Sequence, residues 1–294
     1  MDLITIRPLT TIHEAAAFQE LERLIWNNDD VDAVPIHVLI TALRNGGMIL
    51  GAFAPDGPAS TGGMVGATFG WLGVGVDPAA PDAGMKLKFC SHMAGVAPAW
   101  QSKRVGLRLK LAQREHVLAQ GLTTWITWTY DPLFSRNGAF NLHRLGATCR
   151  TYIRNIYGEL NDDLNRGVPS DRCQVDWRLT SPHVLHRLEQ QPDAPTWDVS
   201  TLELLPVATG AQGLPVPGDA TPDLDGRPLA VPVPDDISLI RRSDRELGMA
   251  WRYYMRETLE TAFAAGYTLV DCIRAAAPDG RDLGWRYILV REYV

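Results

Sequence analysis

Residues 93–107 read Met-Ala-Gly-Val-Ala-Pro-Ala-Trp-Gln-Ser-Lys-Arg-Val-Gly-Leu, so that a strand end, a short polar loop and a helix start follow one another directly. Such a loop turns several free backbone N–H groups toward one place, and the helix dipole adds positive potential there. Lys103, Arg104 and Arg108 reinforce that potential. The stretch predicts a site for an anionic group such as a pyrophosphate. Taken alone, it also fits a basic turn before a solvated helix.

The segments on either side of this loop alternate between strand and helix patterns. Thr11 and Glu14 form a capping box that opens the first helix, and Gly121 ends the helix that follows the loop. The predicted order is strand 4–9, helices 11–25 and 35–44, strands 48–53, 65–72 and 86–96, helix 107–120, strand 123–129, helix 135–145 and strands 147–156 and 172–179. This order predicts an α/β (α+β) fold, with a mixed, mostly antiparallel sheet flanked by helices.

The sequence pattern of the C-terminal third predicts a connector followed by a smaller α+β segment. Nine of the twenty prolines lie between positions 191 and 236, where helical periodicity is weak. Beyond them, Ser243 and Glu246 suggest a second capping box, followed by a helix to Gly266 and strands 268–273 and 285–290. We therefore expect a first domain over 1–180, a helix and connector over 181–236, and a segment over 237–294 that docks on the first domain.

Composition restricts the partners and the compartment. The formal net charge is −6, which gives no general attraction to nucleic acid or to an anionic membrane. No apolar run approaches the roughly 20 residues that span a bilayer, and the N-terminus lacks a signal-peptide pattern. The four cysteines, Cys90, Cys149, Cys173 and Cys272, show neither metal-site nor disulfide spacing. A cytoplasmic protein without a metal, membrane or nucleic-acid partner is expected.

The loop resembles the acyl-CoA pyrophosphate loop of the GNAT superfamily, which reads Gln or Arg, two residues, Gly, one residue, then Gly or Ala. Gln101, Val105 and Gly106 match this pattern, as do Val96 and Pro98 before it, whereas Arg104 stands where the first glycine is expected. A left-handed backbone at a residue other than glycine costs roughly 1–2 kcal/mol, so we expect weakened but persistent binding. The resemblance implies a set of cofactor-binding residues: Val96, Gln101, Ser102, Lys103, Arg104, Val105, Gly106, Leu107 and Arg108.

A second stretch, Asn137 to Ala147, resembles the other conserved helix of the superfamily and adds Asn137 to the cofactor-binding residues. Leu142 occupies the position of its frequent tyrosine, the usual proton donor to the leaving thiolate. Residues 91–93, 128–133, 135–137, 157–159 and 169–172 are similar to a subgroup of predicted acetyltransferases with a C-terminal extension. Some relatives acylate amino acids, in some cases with a succinyl group.

The resemblance implies an acyl-CoA N-acyltransferase that uses acetyl-CoA or another acyl-CoA as co-substrate, without a metal. We expect transfer of an acetyl or short acyl group, succinyl included, to the amine of a small molecule such as an amino acid. Two alternatives stay open: a non-catalytic acyl-CoA-binding or sensing module, and a protein N-acyltransferase. The oligomeric state is also open, with a homodimer as one option.

Direct attack by an amine requires an oxyanion donor and a base. By analogy with the superfamily, the Val96 N–H is the candidate oxyanion donor. His92 is the candidate base, because it titrates near neutrality and would share a side with Val96 on a regular strand. Asp131 could replace it or could cap a turn, and Asp171 and Arg172 could bind the acceptor or form a surface ion pair. Three tyrosines, Tyr130, Tyr152 and Tyr157, are unranked proton donors, and each also fits a packing role.

Overall fold

The computed structural model describes residues 3–26, 33–158, 167–189, 197–219 and 221–291. Positions 190–196 and 220 of the predicted connector therefore lie outside the described residues. The chain divides into two compact units, Met1–Trp128 and Thr129–Val294. This division differs from the predicted boundaries, because residues 129–180 group with the C-terminal segment.

The first unit contains a mixed sheet with helices. Its elements are β1 (Thr5–Pro8), α1 (Ile12–Trp26), α2 (Ile36–Arg44), β2 (Met48–Phe53), β3 (Met64–Val76), β4 (Met85–Val96), α3 (Val105–Gln120) and β5 (Trp125–Tyr130), whose last two residues belong to the second unit. The strands lie in the order β1-β2-β3-β4-β5, antiparallel except for the parallel pair β4 and β5. The mixed, mostly antiparallel sheet predicted from the sequence is confirmed.

Helix α1 begins as its sequence predicts. The Thr11 N–H donates to Oε2 of Glu14 at 3.1 Å, and the Glu14 N–H donates to Oγ1 of Thr11 at 3.2 Å. Its apolar stripe, which includes Phe18 and Leu21, packs with Leu39 of α2 on the sheet residue Phe69. The burial of this stripe supplies the hydrophobic driving force that holds α1 and α2 on one face of the sheet.

Helix α3 lies on the opposite face of the same sheet. A Cβ placed on Gly66 of β3 would approach the side chains of Val105 and Leu109 within 3.2 Å, so the absence of a side chain at Gly66 allows this close packing. The helix ends where predicted, at Gly121, whose φ of 67° is in the left-handed region that glycine tolerates. The loop before α3 is thus held between strand β4 and a helix anchored on the sheet.

Six strands of the second unit lie side by side in the order β7-β6-β12-β13-β11-β8. Its elements are α4 (Ser135–Gly138), which continues as a π-helical stretch over Ala139–Arg144, β6 (Thr148–Ile153), β7 (Arg172–Arg178), α5 (Pro182–Glu189), β8 (Glu203–Leu204), β9 (Val207–Thr209), β10 (Pro215–Pro217), β11 (Leu229–Val233), α6 (Ile237–Ser243), α7 (Arg245–Ala264), β12 (Thr268–Ala276) and β13 (Asp282–Val290). Strands β9 and β10 form a separate hairpin. Pairing of Leu269 on β12 with Cys149 on β6 joins the C-terminal strands to residues of the predicted first domain.

Two expectations for the C-terminal third were wrong. Residues 229–233 are a buried strand rather than part of a connector, and Pro232 is tolerated because β8 pairs only with Leu229 and Ala230. Asp244, not Ser243, caps α7, since its Oδ1 accepts the Leu247 N–H at 2.9 Å. An aspartate and a serine are similarly good caps, so the sequence pattern alone did not choose between them.

Candidate active site

The two parallel strands of the first unit separate after a very short pairing. Strand β4 pairs with β5 only at Phe89↔Ile126 and Cys90↔Thr127, whereas its pairing with β3 continues to Val96. The edge of β4 that faces away from β3 is therefore unpaired beyond Cys90 among the described residues of this unit. Backbone groups on such an edge are available to a ligand.

The Val96 N–H lies on this open edge. The Ala97 N–H donates to the Val65 carbonyl at 2.9 Å, and Val96 is opposite Gly66. Because ladder hydrogen bonds alternate along an antiparallel pair, the N–H and C=O of Val96 point away from β3. This orientation is the one that the predicted oxyanion donor requires, and the assignment of that role stays a prediction.

The loop between β4 and α3 has an alternating backbone. Gln101 has a φ of −63°, Ser102 of +64° and Arg104 of +60°, so two residues other than glycine adopt positive φ. The positive φ values of Ser102 and Arg104 turn the chain sharply after the extended residue Gln101. The left-handed conformation expected of Arg104 is observed. It leads directly into the first turn of α3.

Six consecutive N–H groups, those of residues 102–107, donate no hydrogen bond to any described residue. The first bond into the helix comes from the Arg108 N–H to the Arg104 carbonyl, at 3.1 Å. Residues 101–104 are exposed, so the loop is open to solvent. Free N–H groups at the positive end of a 16-residue helix form a site for an anion.

The basic side chains around this loop make different contacts. The Lys103 Nζ lies 4.1 Å from the centre of the Trp100 ring, at the surface. Arg108, by contrast, donates from Nη2 to the Ile4 carbonyl at 2.6 Å, which ties its guanidinium to the start of β1. The contribution of Arg108 to the loop stays a prediction, and its guanidinium anchors the residue before β1. Lys103 and Arg104 are the exposed basic side chains of the loop.

His92 lies on the face of β4 that carries α1 and α2. Its ring centre is 5.8 Å from that of Phe69 and 5.1 Å from that of Trp71, while part of the residue stays exposed. Desolvation by these neighbours lowers the pKa of His92 below its usual value. A neutral imidazole at pH 7 can accept a proton, as a general base must.

The relation predicted between His92 and Val96 does not hold. Phe69 pairs with Met93 and Gly70 with Ser91, so His92 is the extra residue of a β-bulge. The bulge interrupts the alternation of side chains along β4. Val96 pairs with Gly66, and a Cβ on Gly66 would face α3, so the Val96 side chain also lies on the α3 face. His92 and the Val96 side chain thus lie on opposite faces of β4, although the Val96 N–H remains on the open edge.

A buried lysine that the sequence analysis missed lies on the α3 face. Lys110 is 3% exposed, and its Nζ lies 2.9 Å from Ser91 Oγ, 3.1 Å from Gln113 Oε1 and 3.7 Å from the centre of the Trp128 ring. The Gln113 amide is oriented by a bond from Nε2 to Thr68 Oγ1 at 3.2 Å. Burial lowers the pKa of Lys110 to about 7.

A signal for this network was present in the sequence. Leu107, Lys110, Gln113 and Val117 recur at spacings of three, three and four, which places two polar residues within the apolar stripe of α3. Glu22 was missed in the same way on α1. It is 1% exposed, its Oε1 accepts the Val34 N–H at 3.2 Å, and burial raises its pKa to about 7.

In the second unit, Asp131 is part of a buried charge cluster. Its Oδ1 accepts the Leu133 N–H at 2.9 Å, and its Oδ2 is 2.6 Å from Nη2 of Arg252 and 3.8 Å from guanidinium nitrogens of Arg172 and Arg241. These contacts correspond to the turn-capping alternative, combined with an ion pair. Asp131 is thus engaged by arginine side chains of its own unit, and its role as a base stays a prediction.

Asp171 does not have the exposed position that acceptor binding requires. It is 0% exposed, and its carboxylate accepts bonds from Tyr152 Oη at 2.9 Å, Arg256 Nε at 2.8 Å and the Asn155 N–H at 2.9 Å. The Arg256 guanidinium and these hydrogen bonds hold the pKa of Asp171 below its usual value despite the opposing effect of burial. Direct substrate contact by Asp171 is corrected to a structural role, while Arg172 stays partly exposed.

The remaining predicted residues of the second unit are dispersed. Asn137 is exposed and lines a pocket of about 290 Å³ together with Asp235 and Asp236, two carboxylates that disfavour an anionic ligand there. Leu142 is fully buried. Among the tyrosines proposed as proton donors, Tyr130 and Tyr152 have pKa values raised by burial, whereas Tyr157 is 54% exposed.

The described part of the chain has neither a cluster of metal ligands nor a membrane-spanning helix. Its His, Cys, Asp and Glu side chains form no group of three or more that could hold a metal ion. None of its helices combines the length and apolar character needed to cross a membrane. Its cysteines are free, and burial raises the pKa of Cys173 and Cys272 well above the usual value, which opposes a nucleophilic thiolate.

Comparison with solved structures finds similar chains among acetyltransferases. The Escherichia coli ribosomal-protein-S18-alanine N-acetyltransferase is 13% identical, with a TM-score of 0.45 over 61% of this chain and 96% of that chain. Arabidopsis thaliana NAA60 in complex with acetyl-CoA is 12% identical, with a TM-score of 0.45 over 60% and 99%. An aminoglycoside acetyltransferase from an uncultured soil metagenomic sample is 16% identical, with a TM-score of 0.31 over 41% and 73%.

No protein-family model matches the chain, and no curated protein matches it. The similar structures fall in the class that the sequence resemblance predicted, but their identities and TM-scores are too low to assign an activity. The functional conclusion therefore rests on the residues of the site itself.

Proposed function

We propose that this protein is an N-acyltransferase of the GNAT type, which transfers an acyl group from CoA to an amine. One observation carries the proposal: six unpaired N–H groups, at residues 102–107, form an anion site beside the open edge of β4. A CoA pyrophosphate bound by these groups would let the pantetheine arm follow the unpaired edge. The acyl carbonyl would then accept a hydrogen bond from the Val96 N–H.

The catalytic steps follow from groups near this edge. The Val96 N–H stabilises the negative charge on the carbonyl oxygen during attack, as a fixed donor in an oxyanion site does. His92 removes the proton of the attacking amine from the face that carries α1 and α2. Positioning of both substrates supplies the rest of the rate enhancement. The acceptor that we propose is a small-molecule amine such as an amino acid, and the acyl group is acetyl or another short chain.

Calorimetric titration with CoA, acetyl-CoA and succinyl-CoA tests the anion site. The wild type should bind at micromolar Kd, and Gly106→Trp should abolish binding by filling the space over the loop. Ala119→Trp adds the same bulk to an exposed position near the other end of α3 and should bind like the wild type. Absence of CoA binding by the wild type would overturn the proposal.

A screen of amines for CoA-thiol release then separates the alternatives. Turnover with small amines supports the proposed transferase. Turnover with peptides alone would indicate a protein N-acyltransferase. Micromolar binding without any turnover would indicate a binding or sensing module, which the left-handed Arg104 in the loop and the buried Leu142 would then fit.

A role for His92 predicts a pH dependence. Because its pKa lies below its usual 6.5, kcat/KM expressed per concentration of neutral amine should fall as pH decreases below that pKa. His92→Gln should lower kcat/KM by about 100-fold or more, since a general base contributes roughly 100- to 10,000-fold, and should remove the acid limb. An unchanged acid limb in His92→Gln would exclude this role.

A further inference from the structure

The side chain of Lys110, on α3, lies at the point where strands β4 and β5 separate. Ser91 is the first residue of β4 after its last pair with β5, and Trp128 is the first residue of β5 after the same pair. The Lys110 Nζ contacts both, at 2.9 Å from Ser91 Oγ and 3.7 Å from the ring centre of Trp128. The amino group is therefore held at the apex of the open edge along which we place the acyl donor.

The surroundings of Lys110 suit a group that carries a positive charge and can give up a proton. Its three nearest groups are a hydroxyl, an amide oxygen and an aromatic face, which together match the three donors of an ammonium group. No salt bridge joins Lys110 to a carboxylate among the described residues. A buried lysine without a carboxylate partner costs stability, and such perturbed groups concentrate at functional sites.

The groups that face Lys110 do not titrate in the neutral range. They are Ser91 from β4, Gln113 from α3 itself and Trp128 from β5. The ionisable groups of the same part of β4, Cys90 and His92, lie on the opposite face, next to Gly73 and Trp71 respectively. Lys110 is thus separated by the strand from the proposed base.

We propose that Lys110 is the source of the proton and of the positive charge for the departing CoA thiolate, and that it acts through the hydroxyl of Ser91. The inference rests on the proposed acyl transfer. When the tetrahedral intermediate collapses, the C–S bond breaks and its electron pair goes to sulfur. The Ser91 hydroxyl gives its proton to sulfur and receives one from the Lys110 ammonium.

The numbers of protons lost and gained in this reaction are equal. The acceptor nitrogen loses one proton to His92, sulfur gains one from Ser91, and Lys110 regains one from solvent when His92 releases its own. A CoA thiol has a pKa near that of cysteine, about 8.5, so a donor that titrates near 7 transfers its proton to the thiolate favourably. Base and acid then lie on opposite faces of β4, so that separate groups carry out the two proton transfers.

Single-turnover rates with acetyl-CoA, measured from pH 6 to 10 with enzyme in excess and the best amine of the screen, test this role. The wild-type rate, expressed per concentration of neutral amine, should fall as pH rises above about 7, because Lys110 loses its proton. Lys110→Met should lower the rate at pH 7 by about 100-fold, the lower range for general acid catalysis, and should remove the alkaline limb. The CoA Kd should change less than threefold.

Ser91→Ala provides a second variant in case Lys110→Met does not fold. It should also lose rate at pH 7 and flatten the alkaline limb, whereas Ser91→Thr, which keeps the hydroxyl, should retain the wild-type profile. An alkaline limb that persists in both Lys110→Met and Ser91→Ala would overturn the role of Lys110 while leaving the transferase proposal intact. A wild type without turnover would instead overturn the proposed function.

Discussion

The side-chain amide of Gln101 donates a hydrogen bond of 3.2 Å to the carbonyl oxygen of Val96. This bond closes the loop that leaves β4 back onto the last residue of that strand. Because the Val96 carbonyl lies on the open edge, the bond also fixes the peptide groups beside the proposed oxyanion donor. The loop is therefore organised before any ligand binds, which reduces the entropy that a ligand must overcome.

Loss of this bond should weaken CoA binding. A hydrogen bond contributes about 1 kcal/mol net, so Gln101→Ala should raise the CoA Kd about fivefold in calorimetric titration. Gln120→Ala is a matched control, because the amide of Gln120 donates to the Gly46 carbonyl at 3.1 Å outside the site. Equal affinities for Gln101→Ala and the wild type would show that the loop holds its shape without this bond.

Arg104→Gly should separate the contribution of the loop backbone from that of its charge. Arg104 has a φ of 60°, and glycine there removes a left-handed strain of about 1–2 kcal/mol, offset in part by the greater entropy of the unfolded chain. We expect little change in the urea midpoint and less than a threefold change in CoA Kd, since the N–H groups hold the anion. A Kd raised tenfold or more would assign the binding to the guanidinium.

Lys110 should make stability depend on pH in the alkaline range. Its pKa falls from 10.5 in the unfolded chain to about 7 in the folded protein, so the unfolded chain binds more protons between these values. The free energy of unfolding should rise with pH from 7 toward 10, by at most about 1.4 kcal/mol per unit. Urea titrations of Lys110→Met should lack this rise.

The exposed Lys86→Met is the control for that experiment and should keep the wild-type dependence. Parallel curves for Lys110→Met and the wild type would mean that the buried lysine retains a pKa near its usual value.

Glu22 should give the opposite dependence in the acidic range. Burial raises its pKa from 4.5 to about 7, so the folded protein binds more protons than the unfolded chain between those values. Its contribution to stability is present below pH 4.5 and is lost as pH rises toward 7. Glu22→Gln should be more stable than the wild type at pH 8, as measured by urea unfolding. Glu20→Gln, at an exposed position on the same helix, should match the wild type.

Asp131→Asn should destabilise the second unit. The substitution leaves Arg252, which is 1% exposed, without its carboxylate partner. Removal of one member of a buried ion pair costs about 3–5 kcal/mol, which should appear as a lower urea midpoint. Asp279→Asn, at an exposed ion pair, should cost less than about 1 kcal/mol. Wild-type stability in Asp131→Asn would show that the cluster is not energetically coupled.

The local features of this protein could be predicted from the order of its residues. The capping box of Thr11 and Glu14, the left-handed stop at Gly121 and the strand patterns around residues 48–96 depend on neighbours a few positions away. The loop over residues 101–104 belongs to the same group, because its charge and its place between a strand and a helix are readable without any contact. These features follow from backbone geometry and short-range hydrogen bonds, which the order of residues largely specifies.

The contacts between distant side chains, by contrast, became visible with the folded structure. The bulge at His92 depends on the register between β3 and β4, and it placed His92 and the Val96 side chain on opposite faces. Ser91 and Lys110 are 19 positions apart and Asp131 and Arg252 are 121 apart, yet each pair is in hydrogen-bond contact. Such contacts arise from strand register and helix packing, where one shifted residue moves a side chain to the other face of a sheet.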